Sequence, residues 1–186
     1  MANTNITKRA IETAFVELLN ERALSKITVK DITDRCGINR NTFYYHYQDV
    51  AALLEELCAK QVDRIVREYP TINFIEECMD AAMKFALENR RAVLHIYNSD
   101  CRSTYVSCLW RICEHTVTTY INTAFAAENL SPEDRALIIR YSKCECFGLI
   151  IDWLNSGMKD EYLQGIHRIF QLKKGQTEEL IRRCQQ

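Results

Sequence analysis

The chain has 186 residues, of which 47% are hydrophobic and 26% charged, a composition typical of globular rather than disordered proteins. Its formal net charge of −1 neither favours nor excludes binding to nucleic acid, because that depends on where the charges lie on the surface. No run of about 18 apolar residues is long enough to span a membrane. With no secretory signal in view, we expect a cytoplasmic protein whose nine cysteines stay reduced.

Helical periodicity runs through the whole sequence and predicts an all-α fold of about nine helices. Five glycines and two prolines are few for the turns of a β-sheet protein. The first four helices are expected to begin at Thr7, Thr28, Asn39 and Asp49, each a good N-cap residue. The fourth should end near Tyr69.

Five more helices are predicted beyond Pro70, over residues 72–89, 91–98, 102–128, 131–155 and 160–172. The fourth of these has a strong start, because Ser131 can cap it and Pro132 suits the first helical position. The tail from Gly175 is polar, and we predict no helix there.

Residues 28–47 read TVKDITDRCGINRNTFYYHY and have the pattern of a helix-turn-helix. Thr28 and Asp31 form a capping-box variant, and Gly37 is placed to end the first helix with a positive φ. The inward positions are apolar: Val29, Ile32, Cys36, Ile38 and Phe43. The outward face of the second helix has no carboxylate and can approach phosphates. A helical hairpin with a merely polar face is the alternative.

The stretch from Ile11 to Leu57 resembles the N-terminal region of the TetR/AcrR-type regulators without a gap. The resemblance implies that Arg40, Asn41 and Thr42 face the major groove. It also implies contacts to the phosphate backbone or base edges from Thr28, Lys30, Tyr44, Tyr45 and His46, while Phe43 and Tyr47 match core positions. Members of the family commonly have a lysine where this chain has Val50, so one phosphate contact is expected to be missing.

The same resemblance implies two domains, a DNA-binding domain over residues 1–48 and an effector-binding and dimerisation domain over 49–186, with 49–69 as the connecting helix. The second domain looks like that of a Firmicutes-type branch, in which a long helix holds Gly148. The almost wholly apolar run from Cys146 to Leu154 must be covered on all sides, by a second subunit or by its own domain. The dimer is favoured, with these candidate interface residues: Gly148, Ile151, Trp153, Leu154, Ile166, Ile169 and Phe170.

Aromatic and thiol side chains of the second domain are the candidates for a pocket that binds an apolar or aromatic effector. They are Tyr97, Cys101, Tyr105, Trp110, Cys113, Tyr120, Tyr141, Cys144 and Phe147. No cofactor is expected, and the scattered histidines and the absence of a Cys-x-x-Cys pair argue against a zinc site. The cysteines are expected to be small buried apolar residues, with a thiol redox switch as an open alternative.

The sequence therefore predicts a homodimeric, non-enzymatic regulator that binds a near-palindromic DNA operator and is released from it by a small molecule, as a repressor. One alternative is an activator or coactivator that works partly through protein contacts, with weakened DNA binding. An all-helical enzyme is the other, although the sequence contains no Glu-x-x-His, His-Glu-x-x-His, Gly-x-Ser-x-Gly or phosphate-loop motif.

Overall fold

The computed structural model describes residues 2–72 and 75–185, and the described residues form ten α-helices and no strand. The prediction of an all-α fold is therefore confirmed. The helices are α1 (Ala2–Glu21), α2 (Val29–Cys36), α3 (Arg40–His46), α4 (Val50–Glu68), α5 (Ile75–Glu88), α6 (Arg90–Tyr97), α7 (Arg102–Ala124), α8 (Pro132–Asn155), α9 (Asp160–Leu172) and α10 (Gln176–Cys184). Leu24–Lys26 form one turn of 3-10 helix.

Two helix boundaries differ clearly from the sequence prediction. Helix α1 begins at Ala2, before Thr7. Helix α7 ends at Ala124 rather than at 128, because the Arg135 guanidinium donates hydrogen bonds of 3.3–3.4 Å to the carbonyl oxygens of Ile121, Phe125 and Glu128. A side chain that satisfies terminal carbonyls in this way stabilises the end of a helix.

Helix α10 was not predicted, and it occupies the tail that was expected to be polar. Its sequence has too few apolar residues to show a helical periodicity, but Ile181 is buried. The charges at both ends of α10 interact favourably with the helix dipole. Glu178 and Glu179 lie in the first turn, and Arg182 and Arg183 lie in the last.

The chain divides into two compact units, the first formed by Met1–Arg64 and Glu88–Cys108 and the second by Ile65–Leu87 and Leu109–Gln186. This division does not follow the domain boundary expected after residue 48. Helix α6 packs on α1 within the first unit, where the His95 Nδ1 lies 2.7 Å from the carbonyl oxygen of Leu19. The functional boundary stays a prediction.

Each unit has its own apolar core. The first is centred on fully buried side chains: Ile11, Phe15, Leu18, Leu19, Ile32, Phe43 and Leu53. The second buries Val117, Ile121, Trp153, Leu154, Met158, Ile166 and Ile181. Among the described residues, no helix is both long and apolar enough to cross a membrane.

Candidate nucleic-acid interface

Helix α2 begins with a complete capping box. The Thr28 hydroxyl accepts a hydrogen bond from the Asp31 backbone N–H at 3.2 Å, and the Asp31 carboxylate accepts one from the Thr28 N–H at 2.8 Å. Thr28 also donates its hydroxyl proton to Asp31 at 2.6 Å. These bonds favour the ionised carboxylate, so they lower the pKa of Asp31. The predicted cap is confirmed, and aspartate replaces the usual glutamate without loss of the motif.

The turn between the two helices depends on Gly37, whose φ of 70° and ψ of 30° lie in the left-handed region that favours glycine. The Ile38 N–H donates to the Thr33 carbonyl at 3.1 Å and closes the end of α2. Helix α3 then begins after Asn39, whose Oδ1 accepts from the Thr42 N–H at 2.8 Å. The predicted helix-turn-helix is thus present, with its turn and both caps as expected.

Ion pairs attach α2 to α1. Arg35 donates to both carboxylate oxygens of Glu21 at 2.8 Å and to Glu17 at 3.3 Å. The Arg35 pairing lowers the pKa of Glu21. Arg35 is consequently engaged within the protein, and it is not a free cation for DNA. Sequence reasoning missed this contact, although Glu17 and Glu21 stand one helical turn apart on α1.

The inner side of α3 is fixed to α1 and α4. Phe43 and Tyr47 are buried, as predicted, and the Tyr47 hydroxyl donates to Glu12 at 2.9 Å. Lys60 pairs with Glu12, and Lys8 donates to Glu56 at 2.9 Å. Burial and the Glu12 carboxylate raise the pKa of Tyr47, so its hydroxyl remains a donor. This network, which sequence reasoning missed, limits the freedom of α3 to rotate.

The outer side of α3 presents a donor-rich surface to solvent. Arg40, Asn41, Tyr44 and Tyr45 are exposed, with 79% of Tyr45 accessible, and His46 is half-buried. The rings of Tyr45 and His46 meet edge to face with centroids 5.0 Å apart. No carboxylate side chain belongs to α3, so phosphates can approach it without like-charge repulsion from this helix.

Two of the predicted contact residues are already occupied within the chain. The Thr42 hydroxyl donates to Asn39 at 3.0 Å, and the Thr28 hydroxyl belongs to the capping box. Both hydroxyls retain an acceptor lone pair, yet their donor protons are used locally. Contacts from Thr28 and Thr42 to DNA stay predictions, as do those from the exposed Lys30 and the residues of α3.

Val50, where the family commonly has a lysine, lies at the start of α4. Asp49 caps the helix, with its Oδ1 accepting from the Ala52 N–H at 2.8 Å. Val50, the first helical residue, is half-buried. The position of the expected lysine is thus an uncharged valine, and the residue before it is a carboxylate.

The comparisons with known proteins match both parts of the chain. The profile described as "Bacterial regulatory proteins, tetR family" matches residues 11–57, and the profile described as "Transcriptional regulator C-terminal region" matches residues 73–175, more than half of the chain. The chain belongs to the TetR family of transcriptional regulators. It is accordingly a DNA-binding protein of transcription regulation, and the family resemblance noted from residues 11–57 is confirmed.

Relatives and solved structures agree with the TetR assignment. The HTH-type transcriptional regulator YxbF of Bacillus subtilis (strain 168) is 29% identical over 101 residues, which cover 50% of this chain and 27% of that protein. The match thus spans about a quarter of the relative's length.

Three solved structures share the TetR fold of this chain. The dihydroxyacetone kinase operon activator DhaS has a TM-score of 0.71 at 19% identity and covers 91% of this chain and 97% of its own. A TetR regulator from Rhodococcus sp. RHA1 has a TM-score of 0.55 at 17% identity, and the match covers 86% of this chain and 91% of that regulator. NalD, the secondary repressor of the MexAB-OprM multidrug efflux pump in Pseudomonas aeruginosa, has a TM-score of 0.53 at 18% identity. The match covers 88% of this chain and 96% of NalD.

A cavity of about 340 Å³ lies in the second unit of this TetR protein, among α5, α7, α8, α9 and the start of α10. Tyr120 is the one predicted effector residue that lines it. Burial raises the pKa of Tyr120 to about 12, so its hydroxyl stays protonated. Glu145 and Lys173, which form an ion pair, also line this cavity, together with Cys146.

The other effector candidates lie elsewhere and are divided between the units. In the first unit, Tyr97 is buried with its hydroxyl accepting from Arg102 at 2.6 Å, and Cys101 and Tyr105 are partly buried. In the second unit, the ring of Trp110 packs edge-on against Phe147 at 5.0 Å. Cys113 is buried there, while Tyr141 and Cys144 are exposed. Their roles in effector binding stay predictions.

The candidate dimer residues also separate into two groups. Trp153, Leu154 and Ile166 are at most 4% exposed in the single chain, so they have almost no surface to offer a second subunit. Their own unit covers them, which was the alternative left open by the sequence. Gly148 and Ile169 are exposed, and Ile151 and Phe170 are partly so.

Proposed function

We propose that the chain is a homodimeric repressor that binds a near-palindromic operator through α3 and leaves it when a small molecule binds. The observation that carries the proposal is the outer face of α3, where Arg40, Asn41, Tyr44 and Tyr45 are exposed on a helix without carboxylates. The capping bonds at Thr28 and Asn39 and the network behind Tyr47 hold that face in position. Such a protein acts in the cytoplasm.

Dimerisation is supported by an exposed apolar stripe on α8 and α9. Its residues recur every three or four positions, which places them on one side of each helix: Leu137, Tyr141, Cys144 and Gly148 on α8, and Tyr162, Gly165, Ile169 and Leu172 on α9. Large exposed apolar patches are characteristic of protein interfaces. This stripe replaces Trp153, Leu154 and Ile166 as the proposed contact with the partner, and it keeps Gly148 and Ile169.

Substitution of Gly148 tests the proposed dimer face. A Cβ atom added at Gly148 meets no heavy atom within 4 Å, so the free chain has room for a larger side chain. We expect Gly148→Trp to halve the molar mass in light scattering, from about twice 21.8 kDa to that of one chain. The matched control Gly148→Ala should remain dimeric, because a methyl group is small. An unchanged mass for Gly148→Trp would place the dimer contact elsewhere.

The cavity beside Tyr120 supports effector binding. Its volume of about 340 Å³ falls in the range of small-molecule sites. It combines apolar walls such as Leu149 and Phe170 with carboxylates, lysines and the protonated Tyr120 hydroxyl. An effector that binds better to a conformation with wrongly spaced α3 helices would lower the affinity for DNA by population shift.

An activator is the second candidate. DhaS is named as an operon activator. The Asp49 carboxylate at the start of α4 repels phosphate groups, which favours weaker binding to DNA. Transcription in vitro, from a promoter that carries the DNA sequence selected by this protein, separates the two. Falling transcript with added protein supports repression, and rising transcript supports activation instead. No change would contradict both proposals.

A further inference from the structure

Three sulfur atoms from three helices converge inside the second unit. The Cys146 thiol on α8 lies 3.4 Å from the Met79 Sδ on α5 and 4.0 Å from the Cys113 Sγ on α7. All three residues are at most 5% exposed. We call Met79, Cys113 and Cys146 the sulfur cluster. Every cysteine of the cluster is a free thiol.

Two of the three sulfur–sulfur separations in the cluster are close to those expected around one metal ion with three sulfur ligands. A metal–thiolate bond is about 2.3 Å long, and three such bonds in a plane at equal angles place the sulfur atoms about 4 Å apart. The Cys113–Cys146 separation already has this value, and the Met79 contact at 3.4 Å has to widen by a few tenths of an ångström. Met79 can make that adjustment because its side chain is unbranched and flexible.

The ligand set selects the class of ion. Two thiols and a thioether are soft donors, which favour Cu(I). Zinc prefers four ligands from cysteine, histidine or carboxylates, and a thioether is not among them. In the part of the chain that the structure describes, no three His, Cys, Asp or Glu side chains are grouped to hold a metal ion. The neighbouring Cys78 thiol is directed at the Thr116 hydroxyl, 4.0 Å away.

An open cavity gives the ion access to the sulfur cluster. Cys146 lines the cavity described above, which is partly open to solvent and gives a route to the sulfur cluster. Lys173 and Lys174 also line this cavity. Glu76, Glu145 and Glu178 line it too, so the entry route carries both cations and carboxylates.

We propose that Met79, Cys113 and Cys146 form a binding site for one Cu(I) ion. Two Cu–S bonds form to thiolates as the two thiols each release a proton, a third forms to the neutral thioether, and no electron is transferred. The site does not depend on the proposed repressor function, because the ion is held by the single chain whether or not it alters DNA binding.

An anaerobic competition with the chromophoric Cu(I) chelator bicinchoninate tests the site in the whole 186-residue chain. We expect the chain to withdraw one equivalent of Cu(I), and Cys113→Ser and Cys146→Ser to lose that equivalent. Met79→Leu nearly conserves volume and should fold. It should weaken Cu(I) binding at least tenfold. The control Cys144→Ser changes an exposed thiol on α8, two residues before Cys146. This variant should bind Cu(I) as tightly as the unmodified chain does.

The proposal fails if the chain withdraws no copper. It also fails if Met79→Leu and Cys146→Ser bind as tightly as Cys144→Ser does, since the copper would then be held by other thiols. Thermal melts followed by circular dichroism show which variants are folded, and Met79→Leu remains decisive if a serine variant unfolds.

Discussion

Replacing Arg40 with alanine is expected to weaken binding to the operator by roughly five- to 150-fold, which corresponds to about 1–3 kcal/mol. Arg40 is the first residue of α3 and is exposed beside the turn, where a recognition helix meets base edges. Arginine can donate two hydrogen bonds to guanine, and alanine cannot. Fluorescence anisotropy with a labelled duplex at fixed salt measures the loss.

The control for this substitution is Arg111→Ala, which removes an exposed arginine from α7 in the second unit. Both variants lose one positive charge, so a general effect of charge would weaken DNA binding equally in both. We expect Arg111→Ala to bind as the unmodified chain does. Equal losses in the two variants would contradict a specific role for Arg40.

The largest effect on stability is expected from Phe43→Ala. The Phe43 side chain is fully buried, and its ring contacts that of Tyr47 with centroids 5.8 Å apart. Removing a buried phenyl ring costs the transfer free energy and leaves a cavity, so the free energy of unfolding should fall by about 3–5 kcal/mol. Denaturation with urea, followed by circular dichroism, measures the change.

Tyr45→Ala is the matched control for Phe43→Ala, since it removes an aromatic ring from the opposite side of the same helix. Tyr45 is largely exposed, so its removal should change stability by no more than about 0.5 kcal/mol. DNA binding should nevertheless weaken, because Tyr45 lies on the outer face. If Tyr45→Ala destabilised the fold as much as Phe43→Ala, the assignment of inner and outer faces of α3 would be wrong.

Local sequence signals were sufficient for the helix-turn-helix. The threonine cap, the glycine with positive φ and the buried phenylalanine each act over a few residues, so the pattern TVKDITDRCGINRNTFYYHY contains the information that the turn needs. The same applies to Ser131 and Pro132, which placed the start of α8 correctly. Family resemblance added the roles of the exposed residues, which periodicity alone does not provide.

Contacts between distant parts of the chain were not predictable in this way. An apolar run such as residues 146–154 must be covered, but the run itself does not reveal whether a neighbouring helix or a second subunit covers it. Trp153 and Leu154 are covered within their own unit, whereas Leu137 and Tyr141 remain exposed on the same helix. The Glu12–Tyr47 hydrogen bond likewise joins residues far apart in sequence.

The contacts of the cysteines were also not predictable from the sequence. Cys144 and Cys146 are two residues apart, and the sequence correctly indicates that they point in different directions on a helix. That Cys146 meets Met79 and Cys113 depends on how α5, α7 and α8 pack. The sulfur cluster is therefore a property of the tertiary structure.

Helix α3 is proposed to read a DNA sequence. Selection from a pool of random duplexes with the purified chain, repeated with Arg40→Ala, tests this role of α3. We predict enrichment of a near-palindromic sequence whose half-sites lie about one helical turn apart, roughly 34–36 Å, and loss of that enrichment in the variant. No enrichment by the unmodified chain at low salt, or the same enriched sequence with Arg40→Ala, would contradict sequence recognition by α3 through Arg40.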